Sequence, residues 1–97
     1  MMLYLISYDV STVNAAGKRR LRRVAKRCED YGVRVQNSVF ECAISYEGLL
    51  ILKSELEQII DPKQDSLRIY PLGKNAREKI IHIGQEQSFN VEDPLVI

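Results

Sequence analysis

Residues 33–45, VRVQNSVFECAIS, decide the fold. Val33 to Val35 reads as a short strand and Ser38 to Ser45 as a longer one, rich in β-branched and aromatic residues. Gln36-Asn37 between them suits a tight turn or bulge, so the two strands pair antiparallel. A helical pattern lies on each side of this pair, and a strand pattern lies beyond each helix. The order strand, helix, strand, strand, helix, strand is the split βαβ, ferredoxin-like α+β plan.

Upstream, residues 2–8, MLYLISY, form an apolar first strand. Alternation puts Leu3, Leu5, Ser7 and Asp9 on one face and Tyr4, Ile6 and Tyr8 on the other. Residues 11–14, STVN, offer several helix caps. The helix that follows runs to about Tyr31. Its Leu21, Val24, Ala25 and Cys28 make one buried stripe, and Gly32 supplies the stop. Downstream, Ser45 caps a second helix bearing Leu49, Leu52, Leu56 and Ile59, which Asp61-Pro62 ends. Residues 66–72, SLRIYPL, alternate as the fourth strand. The core domain is thus 1–72. Residues 73–97 hold a polar connector, a fifth strand candidate at 79–83 (KIIHI), and a tail. A strand beyond a complete small domain pairs with a sheet edge, its own or a partner's. Apolar residues on the sheet face without helices point the same way, to a two-fold homodimer.

A length of 97 residues allows one domain, and 45% hydrophobic with 28% charged residues is ordinary for a globular protein. Cys28 and Cys42 form neither a CxxC pair nor a zinc spacing and read as reduced core thiols. The N-terminus meets Ser7 and Asp9 before a signal or membrane segment would be complete, so a cytoplasmic protein without a membrane partner is expected. The net charge of +1 conceals segregation. Residues 18–27, KRRLRRVAKR, carry seven of the fourteen basic side chains, with no acid between Asp9 and Glu29, whereas residues 85–97 have no Lys or Arg. Such a pattern argues for a polyanionic partner at one face.

With Leu21 centring the buried stripe, Arg19, Arg22, Arg23, Lys26 and Arg27 fall on the exposed half of the helix. A merely solvated face normally mixes signs at a spacing of four. Like charges at this spacing destabilise a lone helix, and phosphate contacts relieve them by releasing counterions, so nucleic-acid binding is expected.

Asp9 ends the apolar first strand where it becomes a loop. An acid there is a turn or capping residue, or a ligand for a hard cation such as Mg2+, which one or two carboxylates hold together with waters and phosphates. A symmetric dimer doubles Asp9 if the strand end lies near its axis, and the metal then activates water against a phosphodiester. Around it, Tyr8 is a candidate to orient the site and Ser11 to bridge a metal-bound water, against the plainer readings of a half-buried tyrosine and a cap. Arg34 is a candidate for a phosphate or base and Phe40 for stacking, against a surface strand residue and a core residue. His82, the lone histidine, lacks a neighbouring carboxylate or nucleophile and is not taken as a general base. Nothing matches a Walker loop, a GxGxxG turn, a Ser-His-Asp set or a zinc module.

LISYDVS, the helix KRRLRRVAKRCEDYG, then RVQNSVFEC and IDPKQDSLRIYPLG, in this order and spacing, resemble the small CRISPR-associated adaptation protein family, Cas-two. The likeness runs on through IIHIG and EDPLVI. It implies a ferredoxin-like homodimer with a C-terminal strand exchanged across the interface. It also implies a divalent ion, Mg2+ or Mn2+, between two Asp9 copies, and puts family positions on Tyr8, Arg34 and Phe40. The implied activities are metal-dependent endonuclease action on RNA or double-stranded DNA, and service as the adaptor on which CRISPR integrase dimers assemble to insert spacers. Gly48, where members often carry an acid, is a departure that touches no proposed site. A scaffold without catalysis, and from fold analogy a toxin-like endoribonuclease or a ligand-binding regulatory domain, are the competing readings.

Overall fold

The computed structural model describes residues 1–85. Its elements are β1 (Met2–Asp9), α1 (Ala15–Tyr31), β2 (Val33–Gln36), β3 (Val39–Ile44), α2 (Tyr46–Ile59), β4 (Ser66–Gly73) and a single helical turn, α3 (Ala76–Lys79). The strands form one antiparallel sheet in the order β2-β3-β1-β4, the ferredoxin-like arrangement read from the sequence. The tail expected beyond residue 85 lies outside the described residues.

Local chemistry explains the boundaries. Asn14, rather than Ser11, caps α1, its side chain accepting from the Gly17 amide at 2.8 Å. Gly17 is held to glycine by a close approach, since a Cβ there would lie 1.9 Å from the Ser11 carbonyl oxygen. Gly32 ends α1 differently from the expected left-handed stop. Its backbone is extended, and it has no room for a side chain because a Cβ would meet the Glu41 carbonyl oxygen at 2.4 Å and Cys42 Sγ at 2.5 Å. The β2–β3 turn sits at Asn37-Ser38, one residue later than expected, because β2 takes in a register shift between Arg34 and Gln36. Ser45 caps α2 by accepting from the Gly48 amide.

The helices cover one face of the sheet. Ile6, Phe40, Cys42, Val24, Cys28, Leu52 and Leu56 are enclosed between the layers. Each large aliphatic or aromatic side chain buried this way contributes about 1.5–3 kcal/mol. Cys28 and Cys42 are free thiols inside this core, and burial pushes them up to about 12 and about 11, so they are unreactive packing groups.

The other sheet face carries no helix. Register puts Leu5, Ser7 and Asp9 of β1 on it, beside Glu41 and Val39 of β3 and Tyr70, Arg68 and Ser66 of β4. Of the two pairings left open to residues 79–83, the one with the chain's own sheet edge is not formed. Lys79 closes α3, and residues 80–85 join no strand of their own sheet. They pass near the open face, leaving a cleft of about 530 Å3 against Leu5, Val39 and Glu41, with Ile81 and Ile83 almost fully exposed. The sheet keeps two unpaired edges, β2 and β4, and the segment runs past Val35 and Gln36 of β2 without joining either. Among the described residues no helix is long and apolar enough to cross a membrane.

Candidate nucleic-acid interface and strand-end carboxylate

Four of the cations assigned to the outer face of α1, Arg19, Arg22, Arg23 and Lys26, are exposed, while Arg27 is half-buried. Together with Ile59 these five line a depression of about 510 Å3. The face is less uniformly positive than its sequence suggests. Asp30, three and four residues on, pairs with Arg27 and with Lys26 (3.4 Å), and Glu55 reaches Arg27 from α2 at 3.2 Å. Slight burial raises the Asp30 carboxyl, but the Arg27 and Lys26 charges outweigh it and hold the group below the usual carboxylate range. Arg19, Arg22 and Arg23 make no ion pair among the described residues and remain the open cations of the face.

Asp9 stands exposed at the end of β1, opposite Ser66 of β4. Arg68, one position along the same face, is also exposed, and its guanidinium carbon lies 5.2 Å from the Tyr70 ring centre. Sequence reasoning missed Arg68 because only the β1–β4 register brings it beside Asp9. Among the described residues no three His, Cys, Asp or Glu side chains converge as a metal-ligand group. An exposed carboxylate opposite a serine is a hard-oxygen donor set of the kind Mg2+ accepts, but one chain supplies a single carboxylate. Asp9 fits such a cation as one donor of a larger set.

Tyr8, Arg34 and Phe40 form a separate group on the helix-covered side. Arg34 and Phe40 are register partners, and the Arg34 guanidinium carbon stands 5.1 Å from the Phe40 ring centre. Tyr8 packs against the same ring at 6.3 Å between centroids. Phe40 is wholly enclosed, and all three guanidinium nitrogens of Arg34 are buried. This corrects three sequence assignments. Phe40 offers no face for stacking a base, Arg34 turns inward instead of toward a phosphate, and Tyr8 points away from the face that bears Asp9. Strand alternation is the reason, since a residue and its neighbour leave a sheet on opposite sides. Burial pushes the Tyr8 hydroxyl up to about 12, opposed by the nearby Arg34 charge and by side-chain hydrogen bonding from Arg34 and Ser38. It is a neutral phenol at neutral pH.

Ser11 contributes its backbone: its amide donates to Asp65 Oδ1 at 3.0 Å. Asp65 also accepts from Arg20 Nε (2.8 Å) and from the Asp61 amide (2.8 Å), and its side chain is fully enclosed. Burial raises the Asp65 carboxyl, and the Arg20, Asp61 and Ser11 donors more than reverse this, leaving it below the ordinary range. Neither Arg20 nor Asp65 was legible as a pair, because 45 residues separate them and PKQD reads only as a turn. His82 is exposed with Nε2 at 2.9 Å from the Gly84 carbonyl oxygen, on the cleft that Leu5 and Glu41 also line.

With this geometry in view, comparison with known proteins is specific. The family profile of CRISPR associated protein Cas2 matches residues 2–80. The CRISPR-associated endonuclease Cas2 of Halalkalibacterium halodurans is 55% identical over 95 residues, covering 98% of this chain and 99% of the relative. The CRISPR-associated endoribonuclease Cas2 3 of Rhodospirillum rubrum is 48% identical over 95 residues, covering 98% of this chain and all of the relative. Among solved structures, Streptococcus pyogenes Cas2 at pH 6.5 superposes with a TM-score of 0.77 at 52% identity, covering 86% of this chain and all of that one. A chain of a partial Cas6-RT-Cas1–Cas2 complex superposes with a TM-score of 0.68 at 29% identity, covering 86% of this chain and 91% of that one.

Proposed function

This chain belongs to the CRISPR-associated protein Cas2 family, and from that premise we propose that it serves CRISPR adaptation as a homodimeric nucleic-acid-binding adaptor for the integrase, with phosphodiester cleavage at paired Asp9 residues. The observation that carries the nucleic-acid reading is the depression lined by Arg19, Arg22, Arg23, Lys26 and Arg27. Cations so grouped suit successive backbone phosphates, which give affinity without base preference. Occurrence of a related chain in a Cas1–Cas2 complex supports the integrase as partner. The apolar segment at residues 80–83, unpaired within its own sheet, supports strand exchange with a second copy.

The nuclease names of relatives support hydrolysis of RNA or double-stranded DNA. In this reading the Asp9 carboxylates of two chains would hold a Mg2+ or Mn2+ ion, which when bound would supply a more acidic water and neutralise phosphate charge. The exposed Asp9 carboxylates bind and orient, and Arg68 on the same face holds a non-bridging phosphate oxygen by charge-assisted hydrogen bonding. Tyr8 keeps the strand end rigid from the core side. The test is cleavage of defined RNA and duplex DNA with Mg2+ present or chelated. Wild type should cut only with metal, and Asp9→Asn should bind equally but not cut. Cutting by Asp9→Asn at the wild-type rate would remove the site.

A second reading has its own support. One carboxylate per chain, with no ligand cluster among the described residues, favours a scaffold whose DNA binding alone matters. On that account spacer insertion survives Asp9→Asn.

A further inference from the structure

We infer that Asp65, held by Arg20, is a positioning residue for Asp9, an assignment that rests on the reading of Asp9 given above. Asp9 pairs with Ser66, the first residue of β4, and Asp65 immediately precedes Ser66. Two residues beyond Asp9, the Ser11 amide donates to Asp65 Oδ1 at 3.0 Å. A single carboxylate therefore ties the chain leaving β1 to the chain entering β4, just beyond the Asp9–Ser66 pair. The other side of the same loop is fixed as well, since the Ser11 carbonyl oxygen sits so close to Gly17 that a Cβ there would be 1.9 Å away.

Asp65 is itself held on three sides. Arg20 Nε donates to Oδ2 at 2.8 Å and a terminal nitrogen of Arg20 to Oδ1 at 3.3 Å, a two-point grip from α1. The Asp61 amide donates to Oδ2 at 2.8 Å from the end of α2. The Asp65 side chain is fully enclosed, whereas Asp9 is exposed. An exposed carboxylate on a strand end is loose by itself. Here the backbone beneath it is locked to both helices and to β4 through one buried anion, which fixes where the Asp9 oxygens stand relative to those of a second copy. Arg20 is thereby withdrawn from the phosphate-facing set on α1, which explains why one arginine in the basic run points elsewhere.

The test measures Mn2+ affinity by calorimetry and single-turnover cleavage for wild type, Asp65→Asn, Arg20→Gln and Arg20→Lys, each first shown by circular dichroism to be native. Supporting shells of this kind typically change metal affinity or rate by about 10–100-fold. The expected result is a loss in that range for Asp65→Asn and Arg20→Gln, with nucleic-acid KM unchanged and with partial recovery in Arg20→Lys, which keeps the charge and one donor. Natively folded Asp65→Asn and Arg20→Gln with wild-type Mn2+ affinity and rate would overturn the assignment. If Asp65→Asn does not fold, Arg20→Gln alone decides, since it leaves the Ser11 and Asp61 contacts in place. Failure of the Asp9 reading has a different signature, wild type and Asp9→Asn binding Mn2+ alike. Amide hydrogen exchange then decides the clamp: faster exchange at Asp9 and Ser11 in the Arg20→Gln protein upholds it, and unchanged exchange overturns it.

Discussion

Tyr8 and Asp9 are joined by one peptide bond and face opposite sides of the sheet, Tyr8 into the helix-covered core and Asp9 onto the open face. Tyr8 stacks on Phe40 and lies beside Arg34, so its hydroxyl serves the core and leaves the open face to Asp9, Ser66 and Arg68.

Tyr8→Phe should therefore keep cleavage within a few-fold of wild type while lowering the melting temperature modestly, because a buried hydroxyl is lost and no ligand is. Steady-state kinetics and a thermal melt check this. The same burial predicts that Tyr8 ionises late, at about pH 12. The folded hydroxyl is raised above its unfolded value near 10, so its contribution to stability is present below about pH 10 and is lost as pH climbs toward 12. A near-ultraviolet tyrosinate titration reads the late step directly.

Reversing Arg22 and Arg23 to Glu should weaken duplex binding and reduce the salt slope by about one for each phosphate that is no longer neutralised. Arg27→Ala should change the slope less, since Arg27 is already engaged by Asp30 and Glu55. An unchanged slope in the Arg22/Arg23 variant would remove α1 from the binding surface.

Asp30→Asn should have the opposite sign. It frees Lys26 and Arg27 from their shared acid, so duplex affinity rises and the salt slope steepens. Fluorescence anisotropy over a salt series distinguishes this from a weaker, less stable helix.

Acid should loosen the β1–α1 junction. The folded Asp65 carboxyl lies below its unfolded value, so its contribution is full above about pH 4 and fades as pH falls through the lowered folded value. Wild type should lose stability on acidification more steeply than Asp65→Asn, which lacks this group and melts at least several degrees lower at neutral pH. Denaturant melts between neutral and acid pH report both.

The fold was legible because the strong signals were local. The Leu49, Leu52, Leu56, Ile59 spacing, the Ser45 cap and the alternation in residues 66–72 each announced their element from their own neighbours. The site was legible only in part. Asp9 and the α1 cations follow from position and charge, and the Asp30 pairing was visible at its helical spacing though unread. Arg68, by contrast, joins Asp9 only through strand register, and Arg20 with Asp65 only through tertiary contact. Arg34 misled because a charged residue on a short strand reads as surface, yet its register with Phe40 carries the guanidinium inward. The segment at residues 79–83 has strand composition without a strand partner in its own sheet, and composition cannot supply the partner.

Counting bound ions most directly tests the proposal that two chains share one cation through Asp9. Calorimetric titration of the purified protein with Mn2+ should give about one ion per two chains, abolished in Asp9→Asn. Saturation at one ion per chain, or the same isotherm in Asp9→Asn, would contradict it.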